Sequence, residues 1–256
     1  MFWRMPDALL RPFGWSALLI HGDPCVLDRW LWLRGHLRKG SARTFDAGCG
    51  NGAFSIYAAR EGNAVVAASF SQREQDDARR RAGILGVEGI DFRLIDLREL
   101  EQHVPDLGSF DQIICLETIE HLSDDERLLR TLASLLRPGG SLLLTTPFSE
   151  HHPLYREQAD PSALEDGSHV RFGYGRAKLR ELAQGAGLQV ESEAFVSGFV
   201  SQQLTNLMRW LSARVGVAAA WAIMLPLRPL VVLDRPLTRV LRYPHLSVAL
   251  TARRPA

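Results

Sequence analysis

Six acidic or imidazole side chains and three glycines carry the chemistry that can be read from this chain. The run Phe45-Asp46-Ala47-Gly48-Cys49-Gly50-Asn51-Gly52-Ala53-Phe54 ends a short apolar stretch on a carboxylate and follows it with three alternate glycines. A loop without Cβ atoms lets a ligand approach the backbone, and a helix starting just behind it offers unpaired N–H groups. The pattern describes a loop built around a nucleoside. Alone it is ambiguous, because Gly48, Gly50 and Ala53 also fit the G-x-G-x-x-G/A fingerprint of nicotinamide and flavin domains. Further along stand Asp96 after an apolar run, Glu117 behind Ile113-Ile114-Cys115-Leu116, the pair Glu120-His121, and His169 within Gly167-Ser168-His169-Val170-Arg171-Phe172-Gly173-Tyr174. Histidine titrates near neutral pH, so His121 and His169 are the candidate general bases.

These residues need a scaffold that brings them to one rim. Between about residues 43 and 147, short β-rich runs alternate with longer helical stretches, which argues for right-handed βαβ units and a parallel sheet. Strands are expected near 44–47, 64–68, 90–94, 110–116 and 141–145, and a helix over 124–136, where Leu128, Leu129, Leu132, Leu135 and Leu136 recur at helical spacing. Pro138-Gly139-Gly140 is expected to end that helix and turn the chain into the next strand. After Pro147 regularity stops for about 25 residues, a length that marks a functional or mobile loop. A helix near 176–186 and strands near 189–195 and 246–251 follow. In an open α/β sheet, ligands lie beyond the carboxyl ends of the strands, and that rim would collect Asp46, the glycines, Ser69, Asp96 and Glu117.

Read in order, the landmarks are Asp46-Ala47-Gly48-Cys49-Gly50-Asn51-Gly52, Asp96, Phe110-Asp111 leading to Glu117 and Glu120-His121-Leu122, and Leu136-Arg137-Pro138-Gly139-Gly140. Over residues 40 to 200 this order resembles the class I S-adenosylmethionine-dependent methyltransferases, the small-molecule branch with D-x-G-C-G-x-G, E-x-x-E-H and L-x-P-G-G motifs. The resemblance implies an α/β, Rossmann-like fold with a mostly parallel seven-stranded sheet and an antiparallel last strand, lying at the sheet edge. It implies S-adenosyl-L-methionine as cofactor, held by Asp46, Gly48, Cys49, Gly50, Gly52, Ser69, Phe70, Asp96, Leu97 and Glu117. The activity implied is methyl transfer, most simply to oxygen, on a small or lipid-linked acceptor. His169, Arg171 and Tyr174 would form an acceptor-binding lid segment, and no metal is implied. His121 could equally pack or cap beneath that loop, and His151-His152 could be a solvated stretch.

One position departs from the family pattern. The second strand should end on an acid that binds both ribose hydroxyls, yet Ser69 stands there, and a hydroxyl cannot chelate a diol as a carboxylate does. Gln72 or Glu74 could compensate. The same gap weakens a nicotinamide-dependent oxidoreductase, which relies on the same acid, and keeps a non-catalytic methyltransferase-like scaffold in view.

Composition bounds the rest. The 256 residues suffice for one large domain, divided here into an N-terminal helical extension over 1–40 and a methyltransferase domain over 41–256, with a lid-like loop at 148–174. Three cysteines without ligand spacing read as reduced thiols, and a net charge of +1 gives no footprint for nucleic acid. Arg79-Arg80-Arg81 follows three acids and reads as a solvated helix face with internal ion pairs. No secretion signal is read, so a cytoplasmic location is expected. The apolar helical insertion at 203–243 has three competing explanations: a cap on the core, a homodimer face, or peripheral contact with a membrane.

Overall fold

A computed structural model describes residues 9–21, 24–155, 161–162, 164–165 and 167–256. The start of the N-terminal extension (1–8) and positions 156–160, 163 and 166 of the lid-like loop lie outside the described residues. Seven strands form one sheet: β1 (Arg43–Ala47), β2 (Ala64–Ser69), β3 (Ile90–Leu94), β4 (Phe110–Leu116), β5 (Leu136–Pro147), β6 (Gln189–Val196) and β7 (Ser247–Arg253). Their order is β3-β2-β1-β4-β5-β7-β6. The central strands are buried along nearly their whole length because helices cover both faces of a parallel sheet. Side chains alternate between the two faces. Phe45, Ile113 and Leu142 enter one core with Leu128, Leu129 and Leu132, while Ile114 and Leu143 enter the other with Ile56, Tyr57 and Trp32.

Two expectations need correction. The last strand, β7, is antiparallel but does not lie at the sheet edge. It is inserted between β5 and β6 and pairs antiparallel with both. Its residues Val248 to Ala252 are almost wholly buried, so an edge place would leave apolar surface and ladder groups open. Strand β5 begins five residues before the expected 141, because Leu136 already pairs with Phe110 and Gly139 and Gly140 exchange backbone bonds with Arg254.

The rim-forming turns are set by local capping. Ser71 accepts from the Glu74 N–H at the start of helix Gln72–Ile84, and Asp124 accepts from the Arg127 N–H at the start of helix Asp125–Leu135. At the N-terminus, helix Pro24–His36 and the short helices before it share one hydrophobic core with the sheet, so this extension is packed on the domain. Residues 203–243 are built mainly from helices Phe199–Val215 and Val217–Met224, a 3₁₀ stretch Leu225–Leu233, and helix Asp234–Leu241.

Candidate active site

The glycine loop leaves β1 at Asp46 and runs directly into helix Ala53–Arg60. Asp46 is buried, and its carboxylate accepts from the Ser55 hydroxyl at 2.5 Å. Burial raises its pKa to about 6, against the lowering effect of that hydrogen bond. The glycines are required for different reasons. A Cβ on Gly52 would come within 2.7 Å of the Ala78 Cβ, whereas a Cβ on Gly50 would meet nothing within 4 Å. Gly50 therefore borders open space where a ligand can reach the backbone. Cys49 is buried beside the loop, its thiol pushed up by burial, with the Gln75 amide donating to its sulfur at 3.6 Å. Arg81 was expected on a solvated face with Arg79 and Arg80. Those two do pair with Asp76 and Asp77, but Arg81 is buried and donates to the Asn51 carbonyl of the loop at 3.1 Å.

At the end of β2, the Ser69 hydroxyl donates to the Glu74 carboxylate at 2.8 Å. Helix Gln72–Ile84 thus returns a carboxylate to the strand end where the family pattern has one. Phe70 beside it is exposed, and its ring tip lies 3.5 Å from where a Cβ on Gly167 would begin, so the 167–174 segment approaches the same rim. At the end of β3, Asp96 caps the 3₁₀ turn Leu97–Glu99 and is paired with Arg98, whose side chain reaches both carboxylate oxygens. These Arg98 contacts hold the carboxyl below its ordinary range. The Asp96 carboxylate is thus engaged by its own turn.

Behind β4, Glu117 takes a positive φ of 49°, a backbone state that costs a non-glycine residue energy and so marks a constrained position. Its carboxylate accepts from Thr145 at 2.9 Å and Ser247 at 3.1 Å and lies 3.5 Å from the Arg29 guanidinium of the N-terminal helix. Glu120 is fully buried. Burial, reinforced by the charge of Glu117, drives its pKa well upward. The Thr146 hydroxyl donates to one Glu120 oxygen at 3.1 Å, while Oε1 accepts no hydrogen bond and lies 3.9 Å from His121 Nε2.

The two candidate bases, 48 positions apart in sequence, come together, with ring centroids 4.7 Å apart and edge to face. His121 Nδ1 is 3.0 Å from the Ser168 carbonyl. A carbonyl can only accept, so Nδ1 carries a proton, and in the neutral ring Nε2 is the nitrogen with the lone pair. Ligand atoms of Glu120, His121 and His169 lie within 4.8 Å of one another, a donor set that could hold a divalent cation. Spacing along the chain hides this cluster because only the tertiary fold assembles it.

Arg171 and Tyr174, expected in an acceptor-binding lid segment, are bonded within the protein. Arg171 is bonded to Asp125 and donates to the Tyr174 hydroxyl and the Leu122 and Ser123 carbonyls, and Tyr174 donates to Asp125 at 2.7 Å. Together with the Val170 N–H bond to the Glu120 carbonyl, they tie the lid segment to the turn after β4. His151 and His152 stand apart from this cluster, His152 with its ring 5.1 Å from Tyr243.

A sheet ordered β3-β2-β1-β4-β5-β7-β6, with a glycine loop after β1 and acids at the ends of β3 and β4, is the Rossmann-like class I methyltransferase fold. The chain belongs to the methyltransferase-domain family, whose model matches residues 21–193. It is 33% identical over 186 residues to the ubiquinone biosynthesis O-methyltransferase of Xanthomonas euvesicatoria pv. vesicatoria, covering 71% of this chain and 75% of that protein. Against the enzyme of the same name from Xanthomonas oryzae pv. oryzae it is 34% identical over 200 residues, 76% and 80% of the two chains. Among solved structures, an S-adenosylmethionine-dependent methyltransferase from Mesorhizobium loti superposes with a TM-score of 0.57 at 23% identity, covering 89% of this chain and 98% of that one. Magnesium protoporphyrin IX methyltransferase from Synechocystis, with S-adenosylmethionine bound, gives 0.54 at 18% identity, 99% and 100% of the two chains. The protein is an S-adenosylmethionine-dependent methyltransferase, and the nicotinamide alternative falls.

Proposed function

We propose that this enzyme methylates a hydroxyl oxygen on a phenol-like acceptor, small or lipid-linked, of the kind that a ubiquinone biosynthesis O-methyltransferase would handle. The observation that carries the reading is the pair of imidazoles at the turn after β4, His121 with its Nδ1 on the Ser168 carbonyl and its ring centroid 4.7 Å from that of His169. Displacement at a sulfonium methyl disperses the cofactor's charge, so the protein has mainly to align donor and acceptor and exclude water. The acceptor's proton is the one species that needs a dedicated group, and His121 Nε2 or His169 receives it. On the cofactor side, Asp46 faces the ammonium. Gly48, Cys49, Gly50 and Gly52 shape the methionyl and adenosyl cradle. Ser69, with Glu74, takes the ribose hydroxyls. Phe70, Asp96 and Leu97 border the adenine, and Glu117 closes the rim.

A second reading of the same cluster is favoured by the buried Glu120 Oε1 that accepts no hydrogen bond. There Glu120, His121 and His169 hold a divalent cation that would polarise the acceptor oxygen and lower its pKa. Arg171 and Tyr174 act as anchors of the lid in either reading.

The test is turnover of labelled S-adenosylmethionine with catechols and simple phenols by the purified protein. His121→Ala and His169→Ala should lower turnover by about 10²-fold or more while sparing S-adenosylhomocysteine binding. Equal loss of binding and turnover would give these histidines a structural role. Loss of activity in chelator, restored by one divalent ion, would select the cation reading, and full activity in chelator would remove it.

A further inference from the structure

The insertion between β6 and β7 presents an apolar surface that the described residues leave uncovered. Of the eighteen large apolar side chains exposed among the described residues, ten lie within 215–241, with Val232 and Val240 the most open at 79% and 78%. Residues Val217–Leu241 are long and apolar enough to cross a bilayer, with a mean hydropathy of 1.6, but only 28% of the most apolar window is buried. A core helix of that length would be mostly buried. A straight span is also excluded by the local structure, because the stretch is broken into segments of eight, nine and eight residues. Pro226 and Pro229 lie in the middle one, a 3₁₀ stretch.

The underside is fixed. Met224 and Val231 pack against Val200, Leu204 and Met208 of helix Phe199–Val215. Asp234 accepts from the Gly198 and Val200 N–H groups and the Ser201 hydroxyl, between 2.6 and 2.8 Å, and so caps that same helix. The segment is therefore pinned along the protein surface with its outer face apolar.

Charge selects the partner. Residues 203–243 contain six arginines and one acid, Asp234, which is buried in the cap just described. Arg214, Arg235, Arg239 and Arg242 are exposed around the apolar face, and Arg214 lies 3.8 Å over the Trp210 ring. The surface continues at Leu225 and Pro229 into a groove of about 670 Å³ whose other wall holds Trp15 and Trp30, with Arg34 and Arg60. Exposed aliphatic side chains interleaved with arginines, with Trp210 beside them, match a lipid interface whose headgroups are negative.

We propose that this face docks the enzyme peripherally on an anionic bilayer, lying in the interface without spanning it. The proposal stands whether or not the acceptor is a lipid, and goes beyond the reaction assigned above. It is tested by flotation of the purified full chain with phosphatidylcholine vesicles, with and without phosphatidylglycerol. The wild type should float with the anionic vesicles only, and less so as salt rises. V232D/V240D should lower partitioning by about tenfold or more, and R235E/R239E should abolish the preference for anionic lipid. S-adenosylhomocysteine titration of each variant verifies the fold, and its failure in the wild type would strike the cofactor assignment instead. Wild-type protein that stays in the soluble fraction overturns the proposal, as does flotation indifferent to lipid charge and to both variants. So does a solution dimer that V232D/V240D splits, which would make the face a contact between copies.

Discussion

The Ser69 hydroxyl donates to the Glu74 carboxylate across 2.8 Å at the end of β2. A strand end that lacks the family's acid thus recovers one from the first turn of the next helix, held there because Ser71 caps the Glu74 N–H. If this pair takes the ribose hydroxyls, Glu74→Ala should weaken S-adenosylhomocysteine binding by about 1–3 kcal/mol in a calorimetric titration. The double variant S69D/E74A, which puts a carboxylate at the usual position, should recover most of the loss. Undiminished affinity in Glu74→Ala would remove Glu74 from the site.

Asp46 supplies a pH dependence with a defined sign. Burial raises its pKa to about 6, so the free protein holds it neutral below that pH and ionised above it. A cofactor ammonium favours the ionised form and lowers the pKa in the complex. Affinity should therefore fall as pH drops through about 6, by about tenfold per pH unit once the free protein is protonated, and level off above. Asp46→Asn should bind weakly with a flatter profile between pH 5 and 7. A wild-type profile that is flat over this window would place the ammonium elsewhere.

Much of this architecture is legible in the sequence because the parallel strands are short β-rich runs, and the helices between them carry a 3.6-residue period. Strand ends at 47, 94 and 116 follow directly, and with them the rim that holds Asp46, Asp96 and Glu117. Pairing partners are not legible this way. Strand β7 enters between β5 and β6, and β5 starts at Leu136, because contacts with Phe110 and Arg254 decide both. The site divides along the same line. Glu74 lies five residues from Ser69 and is reachable by local reasoning, whereas the approach of His121 and His169 across the lid loop is a tertiary event. The bonds of Arg171 and Tyr174 are hidden for the same reason, since Asp125, their partner, lies 46 and 49 residues earlier in the chain.

Asp96 is held by its own turn and is proposed to border the adenine as well. Arg98 reaches both carboxylate oxygens and also donates to the Glu165 carbonyl at 3.2 Å. Releasing Asp96 from this neighbour should not harm cofactor binding, while removing the carboxylate should. Asp96→Ala is expected to weaken S-adenosylhomocysteine by about 1–3 kcal/mol, and Arg98→Ala to bind as well as wild type or better. Parallel losses in both variants, by the same titration, would mean that the pair only shapes the turn.

Gly50 and Gly52 separate ligand approach from packing. Both have positive φ, 49° and 79°, so any side chain there strains the backbone by about 1–2 kcal/mol. Only at Gly52 does the protein itself block a Cβ, at 2.7 Å from Ala78, whereas the space beside Gly50 is open. Gly52→Val should lower the thermal midpoint far more than Gly50→Val, because it adds a clash between two helices to the backbone strain. Gly50→Val should remain folded and lose S-adenosylhomocysteine binding, since its side chain would fill the cofactor's path. A folded Gly50→Val protein that still binds at wild-type affinity would show that the cofactor passes on another side of the loop.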